Sequence, residues 1–230
     1  MSKFGLLGKV TLFQSMGSYL LAKMNPAVIH NVGKYMAIKK AFYLSAIEQT
    51  EGDYYEFGVY TGSSFTHAIR CAKYNEIYDQ SLKSIKFYGF DSFEGFGNLD
   101  DSDKHSFYTD INFTTDYNKV VKRVNKILSS DRFDLIDGFF EKTLISKPKS
   151  KLARIIFIDC DTFSSTELAL NYLHSTIQKG TIIILDDYFS YKGSDTLGVC
   201  GAFKQFIKGN NFITCTILSY GMGGVVKIII

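Results

Sequence analysis

The sequence predicts an α/β fold: a doubly wound, mostly parallel seven-stranded sheet that ends in an antiparallel hairpin. Three observations predict it. Short aromatic or β-branched runs, the first opening the stretch 52–65 and others at 85–90, 133–137, 154–158 and 181–185, alternate with stretches of helical period. After Arg154 and Thr181, the runs to 158 and 185 are apolar without interruption, as parallel strands buried on both faces are. Two further β runs, 212–219 and 225–230, flank the turn Tyr220-Gly221-Met222-Gly223-Gly224, which makes the last strand antiparallel to its neighbour.

Composition narrows the class. The 230 residues suit one domain, 1–230, with 1–48 as a helical N-terminal extension. Only two prolines occur, and there is no Gly/Ser-rich tract or repeat to mark a linker. A net charge of +3 on scattered lysines gives no basic stripe, so no nucleic-acid partner is expected. Cys71, Cys160, Cys200 and Cys215 lie far apart, which signals neither a zinc site nor a disulfide framework and fits a cytoplasmic setting. No apolar run approaches the ~20 residues of a spanning helix. The segment 4–24 is apolar but broken by Lys9, Gly17 and Lys23; it reads as an amphipathic helix that covers the core or joins copies in a homo-oligomer.

Taken in order, 26–49 has helical period and reads as a helix pair leading to the first strand. In 52–65 a strand runs into Glu56-x-Gly58-x-x-x-Gly62 and then Ser63-Ser64, a helix N-cap signal. A strand, a glycine turn and a helix N-terminus hold a charged small molecule against bare backbone. The spacing is not Gly-x-Gly-x-x-Gly, and Glu56 would project into the crevice where a pyrophosphate would lie and repel it. The ligand implied is a cationic nucleoside. Helices are expected at 64–80, 116–129, 166–178 and 194–207, and a long polar and aromatic loop, a candidate lid, at 93–116.

Ligands of such sheets sit beyond the carboxyl ends of the strands. Glu56, Asp91, Asp159, Asp161, Asp186 and Asp187 fall at or beside those ends, from four separate strands. Asp91 has the position of a carboxylate that takes ribose hydroxyls. Asp159 with Asp186 and Asp187 offers hard oxygen ligands suited to one Mg²⁺.

Glu56-Phe-Gly-Val-Tyr-Thr-Gly62, Gly89-Phe-Asp-Ser-Phe-Glu-Gly95, Ile158-Asp-Cys-Asp161 and Asp186-Asp-Tyr188 together resemble the macrocin/mycinamicin-type sugar O-methyltransferases. The resemblance runs from about residue 36 to 207 and implies the class I, Rossmann-like fold of enzymes that use S-adenosylmethionine (SAM) and Mg²⁺. By position it places Glu56, Gly58, Tyr60, Gly62, Ser63 and Ser64 along the methionine and ribose side of SAM. Asp91 and Ser92 fall at the ribose, Gly138, Phe139 and Phe140 along the adenine, and Asp159 beside the cofactor. Asp159, Asp186 and Asp187 become the metal ligands. Phe163 departs from the tyrosine usual in the family, and the region before residue 36 shows no match.

The implied chemistry is direct methyl transfer to a hydroxyl of a sugar or glycosylated acceptor, with Asp161 or His105 taking the proton. A catechol or phenol acceptor suits a metal clamp equally, and a non-catalytic SAM-binding module is the reading from another class. His30, His67 and His174 fall in helical stretches and are assigned to packing.

Overall fold

The computed structural model describes residues 10–97, 99–106, 108, 113–146, 148 and 152–230. Helices α1 (Thr11–Lys23) and α2 (Pro26–Ile47) precede the sheet. The strands are β1 (Asp53–Phe57), β2 (Phe87–Asp91), β3 (Phe133–Asp137), β4 (Ala153–Ile158), β5 (Ile182–Leu185), β6 (Thr214–Tyr220) and β7 (Gly224–Ile229). Helices α3 (Ser63–Asn75), α4 (Tyr117–Asn125), α5 (Phe140–Thr143), α6 (Phe163–Leu173), the single turn α7 (Ser190–Gly193) and α8 (Gly198–Asn210) fill the connections. Among the described residues the sheet has seven strands in the order β3-β2-β1-β4-β5-β7-β6. All pairs are parallel except β5–β7 and β6–β7, so the expected doubly wound sheet with a terminal hairpin is present.

Strand alternation builds a core on each face. Tyr54, Phe87, Ile155 and Ile184 pack with Ile38 and Phe42 of α2 and Phe65 of α3. Their neighbours Tyr55, Tyr88, Ile156 and Ile183 pack with Leu170 of α6 and Phe203 of α8. Aromatic pairs knit β1 to β2, with Tyr55 over Tyr88 and Phe57 over Phe90, each at 4.9 Å between ring centroids.

Several element expectations need correction. The stretch 26–49 is one helix, not a pair, because nothing interrupts its period. Pro26 stands in its first turn, and Asn25 Oδ1 accepts a hydrogen bond from Ala27 N (2.9 Å) to begin it. Helix α1 covers no core: none of its residues is buried, and Phe13, Tyr19 and Leu20 are all more than half exposed. Residues 4–9 of that segment lie outside the described residues. The cap of α3 is Gly62 in the left-handed region (φ 74°), not Ser63 or Ser64. Helix α4 begins at its Asp116 cap as expected but ends well before residue 129, and α6 starts earlier than residue 166, at a Thr162 cap.

The loop 93–116, read as long, polar and aromatic, is anchored through a buried carboxylate. Asp103 is 1% exposed and caps the N-terminus of α6. Its carboxylate accepts from Phe163 N (2.8 Å), Ser164 N (3.2 Å) and Ser164 Oγ (2.5 Å). Phe93 and Tyr108 are buried as well. Phe107 of this loop lies outside the described residues.

Candidate active site

A cavity of about 890 Å³ opens at the carboxyl ends of β1, β2, β4 and β5. Gly58 and Tyr60 line it from β1, Asp91 and Ser92 from β2, Phe139 and Phe140 from the segment after β3. Asp159 and Asp161 enter it beyond β4, Asp186 and Asp187 beyond β5, and His105 from the 93–116 loop. Glu56, Gly62, Ser63, Ser64 and Gly138 are not among its lining residues. The far wall is the first half of α2, with Asn25, Pro26, His30, Asn31 and Lys34. Phe189, 53% exposed, and Met222 form part of the rim.

The turn after β1 has no room for a side chain. Gly58 has φ 90°, and a Cβ there would stand 1.9 Å from the Asp159 carbonyl oxygen. Asp91 ties this turn to β2: its Oδ2 accepts from Val59 N and Tyr60 N, both at 2.7 Å, and its Oδ1 from Phe93 N at 2.7 Å. Burial raises the Asp91 pKa, and those three N–H donors partly offset the rise. The carboxylate is therefore held rigidly at the cavity wall.

Glu56 does not project into the crevice. It shares a strand face with Tyr54 and is fully buried beneath the glycine turn. Its oxygens accept from Tyr54 Oη (2.5 Å) and Ser64 Oγ (2.6 Å), which fastens β1 to the first turn of α3. Burial, opposed by these two bonds, lifts its pKa to about 7. Sequence spacing put the residue at the strand end correctly; strand alternation decided which way it faces.

The acidic floor is organised by residues that sequence reasoning assigned to packing or could not place. Lys34 Nζ lies 2.8 Å from Asp159 Oδ2 and 2.7 Å from Asp186 Oδ2. His30, one turn earlier on α2, lies with Nε2 2.9 Å from Asp186 Oδ2, while its Nδ1 accepts from Met222 N (3.1 Å). That leaves the Nε2 proton as the donor to the carboxylate. Tyr220 Oη donates to Asp186 Oδ1 at 2.6 Å. Burial opposes the charge on Lys34, but Asp159 and Asp186 outweigh it and raise its pKa. Burial likewise opposes ionisation of Asp186, yet Lys34 and His30 hold its carboxyl well below the usual range. The signal for this pair was in the sequence, as a histidine and a lysine four residues apart on one helical face.

The expected metal set changes accordingly. Carboxylate oxygens of Asp159, Asp161 and Asp187 lie within 4.8 Å of one another, whereas both oxygens of Asp186 are occupied by protein donors. Asp161 thus stands where Asp186 was expected. It is held there in a left-handed backbone conformation, φ 66°. Burial, then Asp186 for Asp159 and Asp187 for Asp161, push both pKa values well above the usual carboxylate range. Acids so close together repel unless one holds a proton or a cation lies between them, and this oxygen donor set fits Mg²⁺. His105 packs beside the floor, its ring 4.8 Å from that of Tyr108 and 5.1 Å from that of Tyr191.

The hairpin-closed sheet, the glycine turn after β1 and the cavity at the strand ends define a class I SAM-dependent methyltransferase. The fold is shared with the O-methyltransferase NovP, at 18% identity and TM-score 0.68 over 84% of this chain and 78% of that one. It is shared with the calicheamicin methyltransferase CalS11, at 16% identity and TM-score 0.64 over 84% and 77% of the two chains. It also matches TomG from Streptomyces achromogenes, solved in complex with SAM, at 12% identity and TM-score 0.52 over 84% and 78%. No curated protein sequence matches the chain significantly. The macrocin-O-methyltransferase (TylF) family matches residues 33–212; the chain belongs to that family and is a SAM-dependent O-methyltransferase.

Proposed function

We propose that this enzyme methylates a hydroxyl of a sugar or glycosylated metabolite, with a divalent cation, Mg²⁺ by its donor chemistry, held by Asp159, Asp161 and Asp187. The observation that carries the reading is the meeting, in one cavity, of the Asp91-braced glycine turn with a three-carboxylate cluster. The family supports a sugar acceptor, and CalS11 is described as a TDP-rhamnose 3'-O-methyltransferase. A catechol would suit the same cation, but the string Gly89-Phe-Asp-Ser-Phe-Glu-Gly95 resembles the sugar enzymes.

When bound, SAM supplies the electrophilic methyl, and the cation lowers the pKa of an acceptor hydroxyl. The chain's residues position the two partners. Asp91 and the bare backbone at Gly58 shape the SAM side, with Phe139 and Phe140 available to the adenine. The first half of α2, with Met222 against His30 and Phe189 at the rim, shapes the acceptor side. A carboxylate engaged by a cation is a poor base, which favours His105, lining the same cavity, over Asp161 as the group that takes the acceptor proton.

The test is an acceptor screen with tritiated SAM, run with and without EDTA. Transfer to glycosides that EDTA abolishes and Mg²⁺ restores is the expected result. Preferred transfer to catechols would move the acceptor class, and SAM binding without turnover on any acceptor would leave a binding module. His105→Ala should lower turnover by about 10²–10⁴-fold, the range for a positioned acid–base group, with SAM affinity unchanged. Normal turnover in that variant, with turnover lost in Asp161→Asn that still binds cation, would return the base to Asp161.

A further inference from the structure

Four carboxylates meet at the ends of β4 and β5, and they are not equivalent. Asp159, Asp161 and Asp187 turn oxygens toward one another, while Asp186 is 2% exposed and fully engaged by Lys34, His30 and Tyr220. Lys34 bridges the two groups, since its ammonium touches both Asp186 and Asp159. Its side chain is 13% exposed, so little water screens it from a charge placed on the triad.

We propose that Lys34 is a built-in cation of this floor: it reserves Asp186 for itself, shares Asp159 with any divalent ion, and so sets how tightly that ion is held. The inference rests on the reading of Asp159, Asp161 and Asp187 as a cation site. Three observations carry it. Lys34 lies on α2, a helix fixed independently by Ala37, Ile38, Ala41 and Phe42 in the core, so the ammonium is delivered by the fold rather than by the ion. Its contact with Asp159, 2.8 Å, puts a positive charge directly on one member of the triad, where it repels a second cation. Its contact with Asp186, reinforced by His30 on the same oxygen, withholds a fourth carboxylate that would otherwise add to the ligand set. Lys34 is thus a positioning and charge-setting residue, acting through Asp159 and Asp186.

The sign of the effect separates this role from plain packing. A packing residue loosens the floor when removed and weakens ion binding; a competing cation strengthens ion binding when removed. Mn²⁺ binding to the purified full-length protein, without SAM or acceptor, is read by the electron paramagnetic resonance of free Mn²⁺. Lys34→Gln should bind Mn²⁺ about tenfold more tightly or better, and Lys34→Arg, which keeps the charge, should stay near the wild-type affinity. Asp161→Asn should lose binding in the wild-type and Lys34→Gln backgrounds alike. Thermal melting checks that each variant folds, and Lys34→Met, which keeps the apolar stem, gives the same comparison should the glutamine variant not fold. Equal or weaker binding in a folded Lys34→Gln protein would overturn the proposal while leaving the cation site standing. No Mn²⁺ binding in wild type or either uncharged variant would remove the cation site, and the proposal with it.

Discussion

Two carboxylates at the ends of the paired strands β1 and β2 do opposite jobs. Asp91 faces the cavity and braces the turn; Glu56 is buried under it. With its pKa raised from 4.5 to about 7, Glu56 contributes stability that is complete below pH 4.5 and is lost as pH rises through about 7. At ~1.4 kcal/mol per pH unit the loss is about 3 kcal/mol at most. Urea unfolding at pH 5 and pH 8 should therefore show a drop in wild type that Glu56→Gln flattens; parallel pH profiles would rule Glu56 out as its source. Asp91→Ala should weaken SAM binding by about 1.5–3 kcal/mol, the value of hydrogen bonds to a charged group. It also strips the acceptor from three backbone N–H groups, so titration calorimetry should be paired with a melting curve. Unchanged affinity would take Asp91 out of the SAM site. The strand-end positions of both acids were legible in the sequence. The face each presents was not, because a hairline shift of register or period decides it.

At the level of elements, the sheet was readable because apolar runs and their spacing dominate strand formation, and the hairpin because glycines cluster between two β runs. Helix limits were read less well, since single caps set them: Gly62, Asp116 and Thr162 each fix a start that periodicity alone blurs. The 93–116 loop shows the same lesson in polar form. Its anchor is a buried aspartate at a helix N-terminus, and no hydrophobicity count detects that. Asp103→Ala should cost about 1–3 kcal/mol in stability, since it removes a helix cap and charged hydrogen bonds. Hydrogen exchange should rise at 99–106 and at the first turn of α6 together. A rise in one segment without the other would mean the two are not held by this carboxylate.

Across the whole molecule, the two N-terminal helices differ in what they give. The second half of α2 enters the core and its first half walls the cavity, whereas α1 buries nothing. Removing residues 1–24 should leave the melting temperature within about 2 °C of wild type, the shift expected for less than ~1 kcal/mol in a chain of this size. A larger drop would show that α1 has a partner in the folded state. No described helix is long and apolar enough to cross a membrane. The family and the sheet could be read from motifs because backbone-hugging glycines and strand-end acids leave a fixed spacing. The α2 wall could not, because a histidine and a lysine four residues apart on a helix share a face without revealing what that face will meet.

The rim residue Phe189 has an optical consequence. The chain contains no tryptophan, so its natural emission is dominated by its 15 tyrosines. Phe189→Trp would put a single indole at the cavity mouth, half in water and half against the site. Excited beyond the tyrosine band, that one fluorophore would report nucleoside or acceptor entry without a label. Separate titrations with each would then show whether the two share a mouth.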